Sequence, residues 1–166
     1  MPQFEHVRHK PPTDLAQPRE LLLVVSPLRS SVNLSRIVRL AGCSGLKQII
    51  YCGTGKVDPK IARDAASEVE VQQKRSLPPV LKKLKADGYN LVGLEQTTNS
   101  TILFDYSYER KTALVIGAER EGLNDEALAQ LDAVVEIPVY GEPASYNVVT
   151  ATTMATYEYM RQFPAG

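Results

Sequence analysis

Three short blocks of this chain carry side chains able to handle charge, and two of them add glycines that let a ligand approach the backbone. The first is Asn33-Leu34-Ser35-Arg36-Ile37-Val38-Arg39. Its two arginines stand three apart and share one side of a helix. An arginine there can clamp a phosphate or stabilise an oxyanion. The second is Val115-Ile116-Gly117-Ala118-Glu119-Arg120-Glu121-Gly122-Leu123, an apolar run that ends in a turn carrying two carboxylates between glycines. Glycine offers close backbone approach because it has no Cβ. The third runs Ile137-Pro138-Val139-Tyr140-Gly141-Glu142-Pro143-Ala144-Ser145-Tyr146-Asn147 and opens a helix with almost no charge. Backbone N–H groups at such a helix start point at whatever lies in front of them.

Other patterns carry less. Cys52-Gly53-Thr54-Gly55-Lys56-Val57 imitates the tail of a phosphate-binding loop, but Ile50 and Val57 occupy the positions that need Gly and Ser or Thr. His6 and His9 lie in a Pro-rich lead-in, so no metal site and no His-based triad is expected. Cys43 and Cys52 have neither metal nor redox spacing.

The elements that position these blocks follow from hydrophobic periodicity. Strands are expected at 21–26, 48–52, 68–71, 90–94, 112–116 and 133–139. Helices are expected at 33–43, 59–66, 76–87, 125–131 and 148–162, and an irregular polar-aromatic stretch at 97–108. Asn33 or Ser31 is expected to cap the first helix and Ser76 the third. Alternating strands and helices define an α/β fold, a mostly parallel sheet flanked by helices. Ligands of such sheets sit beyond the carboxyl ends of the strands, and all three blocks begin or end there.

Bulk properties agree with a folded enzyme or binding domain. The chain has 166 residues, with 43% hydrophobic and 23% charged, which suits one domain with a real core. Residues 1–19 contain Pro2, Pro11, Pro12 and Pro18 and read as a flexible N-terminal arm, with 20–166 as a single domain. No apolar run is long enough to cross a bilayer, and a cytoplasmic, thiol-reducing setting is the simple expectation. Net charge is zero but polarised: residues 1–85 carry +8 and residues 86–166 carry −8. Interleaving of distant segments in a parallel fold can cancel that asymmetry; segregation would leave a face for a polyanion.

Taken in order, the three blocks resemble the SpoU (TrmH-like) branch of the SPOUT RNA methyltransferases. The family pattern N-x-G-x-I-x-R is met by Asn33, Ile37 and Arg39. G-x-E-x-x-G-L is met by Gly117, Glu119, Gly122 and Leu123. I-P-M-x-G-x-x-x-S-L-N-V is met by Ile137, Pro138, Gly141, Ser145, Asn147 and Val148. Ser35, Val139 and Tyr146 depart from the usual Gly, Met and Leu.

The resemblance implies a C-terminal trefoil knot, a rare feature that patterning alone does not suggest. It also implies S-adenosyl-L-methionine as cofactor, a homodimer, and methyl transfer to a ribose 2′-hydroxyl of tRNA or rRNA. By similarity, Leu94, Gly117, Ile137, Ser145 and Tyr146 hold the cofactor. Arg39, Asn33, Glu119, Ser145 and Asn147 serve the reaction. Arg29, Arg36, Lys56, Lys60, Lys82, Lys83 and Lys85 are candidate phosphate contacts. With about 20 residues before the first strand, RNA recognition is expected from the catalytic surface, the arm and the partner subunit. The alternatives are a noncatalytic RNA-binding module of the same fold, or an unrelated α/β nucleotide enzyme, against which the missing phosphate loop argues.

Overall fold

A computed structural model describes residues 1–166. In chain order the elements are β1 (Leu21–Val25), α1 (Ser31–Cys43), β2 (Gln48–Tyr51), α2 (Pro59–Ala62), α3 (Ala65–Glu68), β3 (Glu70–Gln73) and α4 (Leu77–Ala86). There follow β4 (Asn90–Leu94), β5 (Thr101–Ile102), β6 (Thr112–Ile116), α5 (Asp125–Leu128), β7 (Ala133–Glu136) and α6 (Val148–Gln162). The strands form one seven-stranded sheet in the order β3-β2-β1-β6-β4-β7-β5, and every pairing is parallel.

The central strands β1 and β6 are buried at every position, as expected for a sheet covered on both faces. Leu23, Val25, Leu114 and Ile116 pack with Leu34, Ile37 and Val38 of α1 and Ala155 and Tyr159 of α6. Leu22, Val24, Ala113 and Val115 face the other way, onto Val80, Leu81 and Leu84 of α4 and Ala127 of α5. Period-two alternation along each strand thus divides the core into two layers.

Several boundaries differ from expectation for local reasons. The helix expected at 59–66 is two short ones, because Arg63 adopts φ 57° between them, outside the helical region. The following strand accordingly shifts to Glu70–Gln73. β7 stops at Glu136, two residues before Pro138, which has no N–H for a ladder. α5 ends at Leu128 rather than Leu131. The irregular stretch contains the short edge strand β5 and a 3-10 turn at Leu103–Asp105. Ser30, not Asn33 or Ser31, caps α1: its hydroxyl accepts from the Asn33 N–H at 3.2 Å. Ser76 stands at the N-cap of α4, but its hydroxyl makes no cap bond.

Residues 1–19 form no helix or strand. Their end is tied to the C-terminus: Ala16 N donates to Ala165 O at 2.9 Å, and Arg19 donates to Phe163 O at 2.6 Å and Ser44 O at 2.8 Å.

The sheet order settles how charge is distributed. Residues 1–85 supply β3, β2 and β1, and residues 86–166 supply β6, β4, β7 and β5. The strands of the two halves therefore lie side by side, while the helices interleave: α4 of the first half packs on β4 and α5, and α6 of the second half packs on α1. The charge asymmetry of the sequence is kept among the strands and mixed where α4 brings Lys85 to Asp132.

Candidate active site

The carboxyl ends of β4, β6 and β7 surround a cavity of about 250 Å³. Leu94, Gly117 and Ile137 line it from the strand ends, Ser145 and Tyr146 from the loop before α6, and Val148 and Ala151 from α6 itself. All five residues expected to hold a cofactor thus face one space. Its walls alternate between apolar groups such as Leu94, Ile137 and Val139 and the carboxylates Glu95, Glu119 and Glu136.

The turn after β6 is closed on itself. Ala118 and Gly122 exchange backbone hydrogen bonds of 3.1 and 3.3 Å. A Cβ on Gly117 would lie 2.6 Å from the Gly122 carbonyl carbon, so only glycine fits. Gly122 has φ +64°, and a Cβ there would stand 2.2 Å from Glu95 Oε2. Glu95 is a residue the motif reading overlooked. It accepts from Leu123 N at 3.0 Å and Gln96 N at 2.9 Å, bracing the turn from β4. Its only sequence signal is a carboxylate directly after an apolar strand.

Glu119 joins the first and second blocks. Its carboxylate accepts from Arg29 N at 3.0 Å, Ser30 N at 3.1 Å and Asn33 Nδ2 at 3.2 Å. Burial pushes its pKa up, but these N–H donors outweigh burial and hold it below the usual 4.5. A carboxylate at the N-terminus of the 13-residue α1 also meets the favourable end of the helix dipole. Arg29 forms an ion pair with Glu121; both are well exposed, so it contributes little stability.

The other site residues are placed differently. Arg39 and Arg36 are exposed on α1, and neither forms an ion pair. Asn33 is buried, at 8% exposure, and its amide is turned to Glu119 rather than to Arg39. Six helical residues separate the two, about 120° around the axis. Asn147 is the N-cap of α6 and accepts from Val149 N at 2.8 Å. Arg39, Asn33 and Asn147 do not line the cavity wall.

Tyr146 stands between this cavity and a second, apolar groove of about 480 Å³. Phe104, Tyr140 and Tyr157 line the groove at 67%, 86% and 68% exposure. Among the seven expected phosphate contacts, Lys83 and Lys85 are paired with Asp87 and Asp132. These pairs sit where β4 and β7 begin, at the opposite end of the sheet from the cavity. In the imitation phosphate loop, Gly55 N donates to the Tyr51 phenol at 3.3 Å, so that N–H is already used. No group of three or more His, Cys, Asp or Glu converges as a metal cage, and no helix is long and apolar enough to cross a membrane.

A seven-stranded parallel sheet with a cavity at its carboxyl rim, closed by a Gly-turn and a helix-opening loop, defines an α/β ligand-binding domain. Residues 20–157 match the SpoU rRNA Methylase family, and the chain belongs to that family. It is 40% identical over 148 residues to the tRNA (guanosine(18)-2'-O)-methyltransferase TARBP1 of Mus musculus, covering 86% of this chain and 9% of the relative. It is 28% identical over 146 residues to the tRNA (guanosine(18)-2'-O)-methyltransferase of Escherichia coli K12, covering 86% of this chain and 64% of the relative. The chain therefore spans less than two thirds of either protein. Among solved structures, the A. aeolicus TrmH/SpoU tRNA modifying enzyme superposes with a TM-score of 0.84 at 25% identity, covering 90% of this chain and 78% of that one. The SpoU methyltransferase AviRb of Streptomyces viridochromogenes, solved in complex with AdoMet, gives 0.77 at 25% identity over 92% and 64%.

Proposed function

We propose that this chain is an S-adenosylmethionine-dependent methyltransferase acting on a ribose 2′-hydroxyl of RNA. The observation that carries this reading is the convergence of Leu94, Gly117, Ile137, Ser145 and Tyr146 on one cavity, with Glu119 joining its rim to α1. The names of the mouse and E. coli relatives favour tRNA over rRNA as the substrate class.

The cavity suits the cofactor chemically. Apolar walls fit a purine, and the carboxylates of Glu95, Glu119 and Glu136 favour a cation. When bound, the cofactor supplies an electrophilic methyl group on a sulfonium. Gly117 and Gly122 keep the floor of the site free of side chains, and Ser145 and Tyr146 close it from the loop before α6. The same segment, around 117–147, is where we place the trefoil knot that the resemblance implies.

The residues must then activate and position a hydroxyl that is a poor nucleophile. A guanidinium offers no acceptor atom, so Arg39 does not take that proton. As a fixed cation it stabilises the alkoxide that develops during attack, and a phosphate of the substrate takes the hydroxyl proton. Asn33 and Glu119 set the start of α1, and through it the arginine-bearing face. Asn147 fixes the entry of α6, which holds Ser145 in register. Holding the hydroxyl in line with the bond that breaks supplies much of the rate. Arg39 lies off the cavity wall of its own chain, which supports a homodimer whose partner completes each site. The exposed Phe104, Tyr140 and Tyr157 are the face we assign to that partner. The reaction is placed in the cytoplasm, where RNA and reduced thiols coexist.

Radiolabelled methyl transfer to total RNA tests the reading, with a 2′-deoxy nucleotide at the mapped position as the control. Methylation of the deoxy substrate would move the reaction to a base. RNA binding without any transfer would favour the noncatalytic module. Sedimentation as a monomer at all concentrations would remove the dimer.

A further inference from the structure

The loops that close β1, β2 and β3 at the carboxyl rim are residues 26–30, 52–58 and 74–76. They carry Arg29, Lys56, Lys74 and Arg75 against one carboxylate, Asp58, which caps α2 by accepting from Lys60 N at 2.9 Å. The corresponding loops beyond β4, β6 and β7 carry Glu95, Glu119, Glu121 and Glu142 against one cation, Arg120. One rim is therefore divided into a basic half and an acidic half, and the boundary falls between β1 and β6, next to the cofactor cavity.

Three of the basic half's four cations are unused; Arg29 is paired with Glu121. Lys56, Lys74 and Arg75 are exposed and take no part in any of the five ion pairs. Lys74 and Arg75 line an open cleft of about 400 Å³ with Gly53, Thr54 and Gln73. That lining contains no apolar side chain. Arg75 also lines the adjoining cleft of about 740 Å³, which reaches Arg29 and the Ala118–Gly122 turn. A continuous depression thus runs from β3 to the turn beside the cofactor cavity. Strand spacing puts its length at roughly 14 Å, three steps from β3 to β6. The 56–60 segment is held against α1 by the bond from Asp58 N to Ser35 Oγ at 2.8 Å, which sets Lys56 and Lys60 near exposed Arg36.

We propose that this basic half-rim is the track for the ribose-phosphate backbone of the RNA, with Lys74 and Arg75 as its outer anchor. The polar outer cleft with its free cations fits phosphates rather than an apolar side chain, whereas the adjoining cleft is mixed, with Leu28, Leu77 and Leu123 beside Arg29, Arg75, Glu121 and Glu126. The acidic half repels the strand and leaves the cavity to a cationic cofactor. This rests on the methyltransferase reading above and adds the path of the substrate to it. It replaces Lys83 and Lys85, which are paired at the far end of the sheet, by Lys74 and Arg75.

The test is the double variant K74A/R75A, measured by filter binding to a mixed pool of unmodified tRNA transcripts across a salt series. Two lost phosphate contacts make the slope of log affinity against log salt shallower by about 1.5. The KM for RNA rises about tenfold, while kcat at saturation and S-adenosylmethionine affinity stay unchanged. K56A repeats the effect at about half size, and a matching thermal melt shows that each variant is folded. K47A, just before β2 at the opposite end of the sheet, removes an exposed charge outside the track and leaves binding unchanged. Unchanged slope and KM in K74A/R75A, with the parent protein active, overturns the track and leaves the enzyme reading standing. A loss in K47A equal to that in K56A makes the effect one of net charge and overturns it as well. Loss of binding to a poly-glutamate peptide with RNA affinity intact would assign the rim to an acidic protein instead. A parent protein that transfers no methyl group to any RNA removes both readings.

Discussion

The Asn33 side-chain amide donates to Glu119 Oε1 at 3.2 Å, across 86 positions of sequence. This bond ties the first turn of α1 to the turn after β6. The same carboxylate receives the N–H groups of Arg29 and Ser30, so one side chain sets both the start of the arginine-bearing helix and one wall of the cavity.

Replacing that carboxylate should therefore cost stability and activity together. Glu119→Ala leaves three donors without their acceptor. Charge-assisted bonds of this kind contribute about 1–2 kcal/mol in total once solvent access is allowed for. Urea unfolding is expected to show that loss, and methyl transfer is expected to fall by more than tenfold. Glu119→Gln keeps an acceptor oxygen and should recover most of the stability.

The same contact makes stability depend on acid. The Glu119 pKa is lowered in the folded chain, so its contribution is complete above the ordinary value of 4.5. It is lost as pH falls through the depressed folded value. Melting temperature measured from pH 6 to pH 3 should fall less in Glu119→Gln than in the parent chain. Parallel curves would show that other carboxylates dominate.

Arg39→Ala is expected to abolish methyl transfer while calorimetry still detects S-adenosylmethionine binding, because the side chain does not line the cofactor cavity. Arg39→Lys keeps the charge but not the planar fork and should recover only a small fraction of the rate. Unchanged turnover in Arg39→Ala would rule out its role in stabilising the alkoxide.

Gly117→Ala adds a methyl group 2.6 Å from the carbonyl carbon of Gly122 and 2.8 Å from its Cα. Backbone must move, and the Ala118–Gly122 turn moves with it. Cofactor affinity should drop at least tenfold, a larger effect than in Gly141→Ala, where the nearest heavy atom is 3.7 Å away.

The two thiols should behave differently. Burial drives the Cys52 thiol up to about 11, against a smaller opposing effect from Lys74, whereas Cys43 is exposed. At pH 8 the native chain is expected to take one iodoacetamide, on Cys43, and a second only after unfolding. Equal labelling of both would contradict the burial of Cys52.

Much of this protein was legible in local sequence. β4, β6 and α6 lie where period and composition place them, since each is an uninterrupted apolar or amphipathic run between turn signals. The five residues that line the cavity were named through the family resemblance of the three blocks, since glycines and a helix-opening loop at strand ends also occur as plain connections. Local signals failed where a partner distant in sequence decides. Glu95 looks like any carboxylate after a strand until Gly122 and Leu123 are folded against it. Ser30 became the cap of α1, with Asn33 inside the first turn and its amide turned to Glu119.

The chain by itself determined a parallel α/β sheet, the three blocks and a charge imbalance between its halves. It could not determine whether that imbalance survives folding, because charge adds up in space and not along the backbone. The fold decided it, keeping β3, β2 and β1 with their rim loops on one side of β6 while α4 carries Lys85 across to Asp132. Tertiary structure alone also separated a lysine paired at long range, Lys85 with Asp132, from a free one such as Lys74. An ion pair needs two side chains within a few ångströms, and only the fold brings them there.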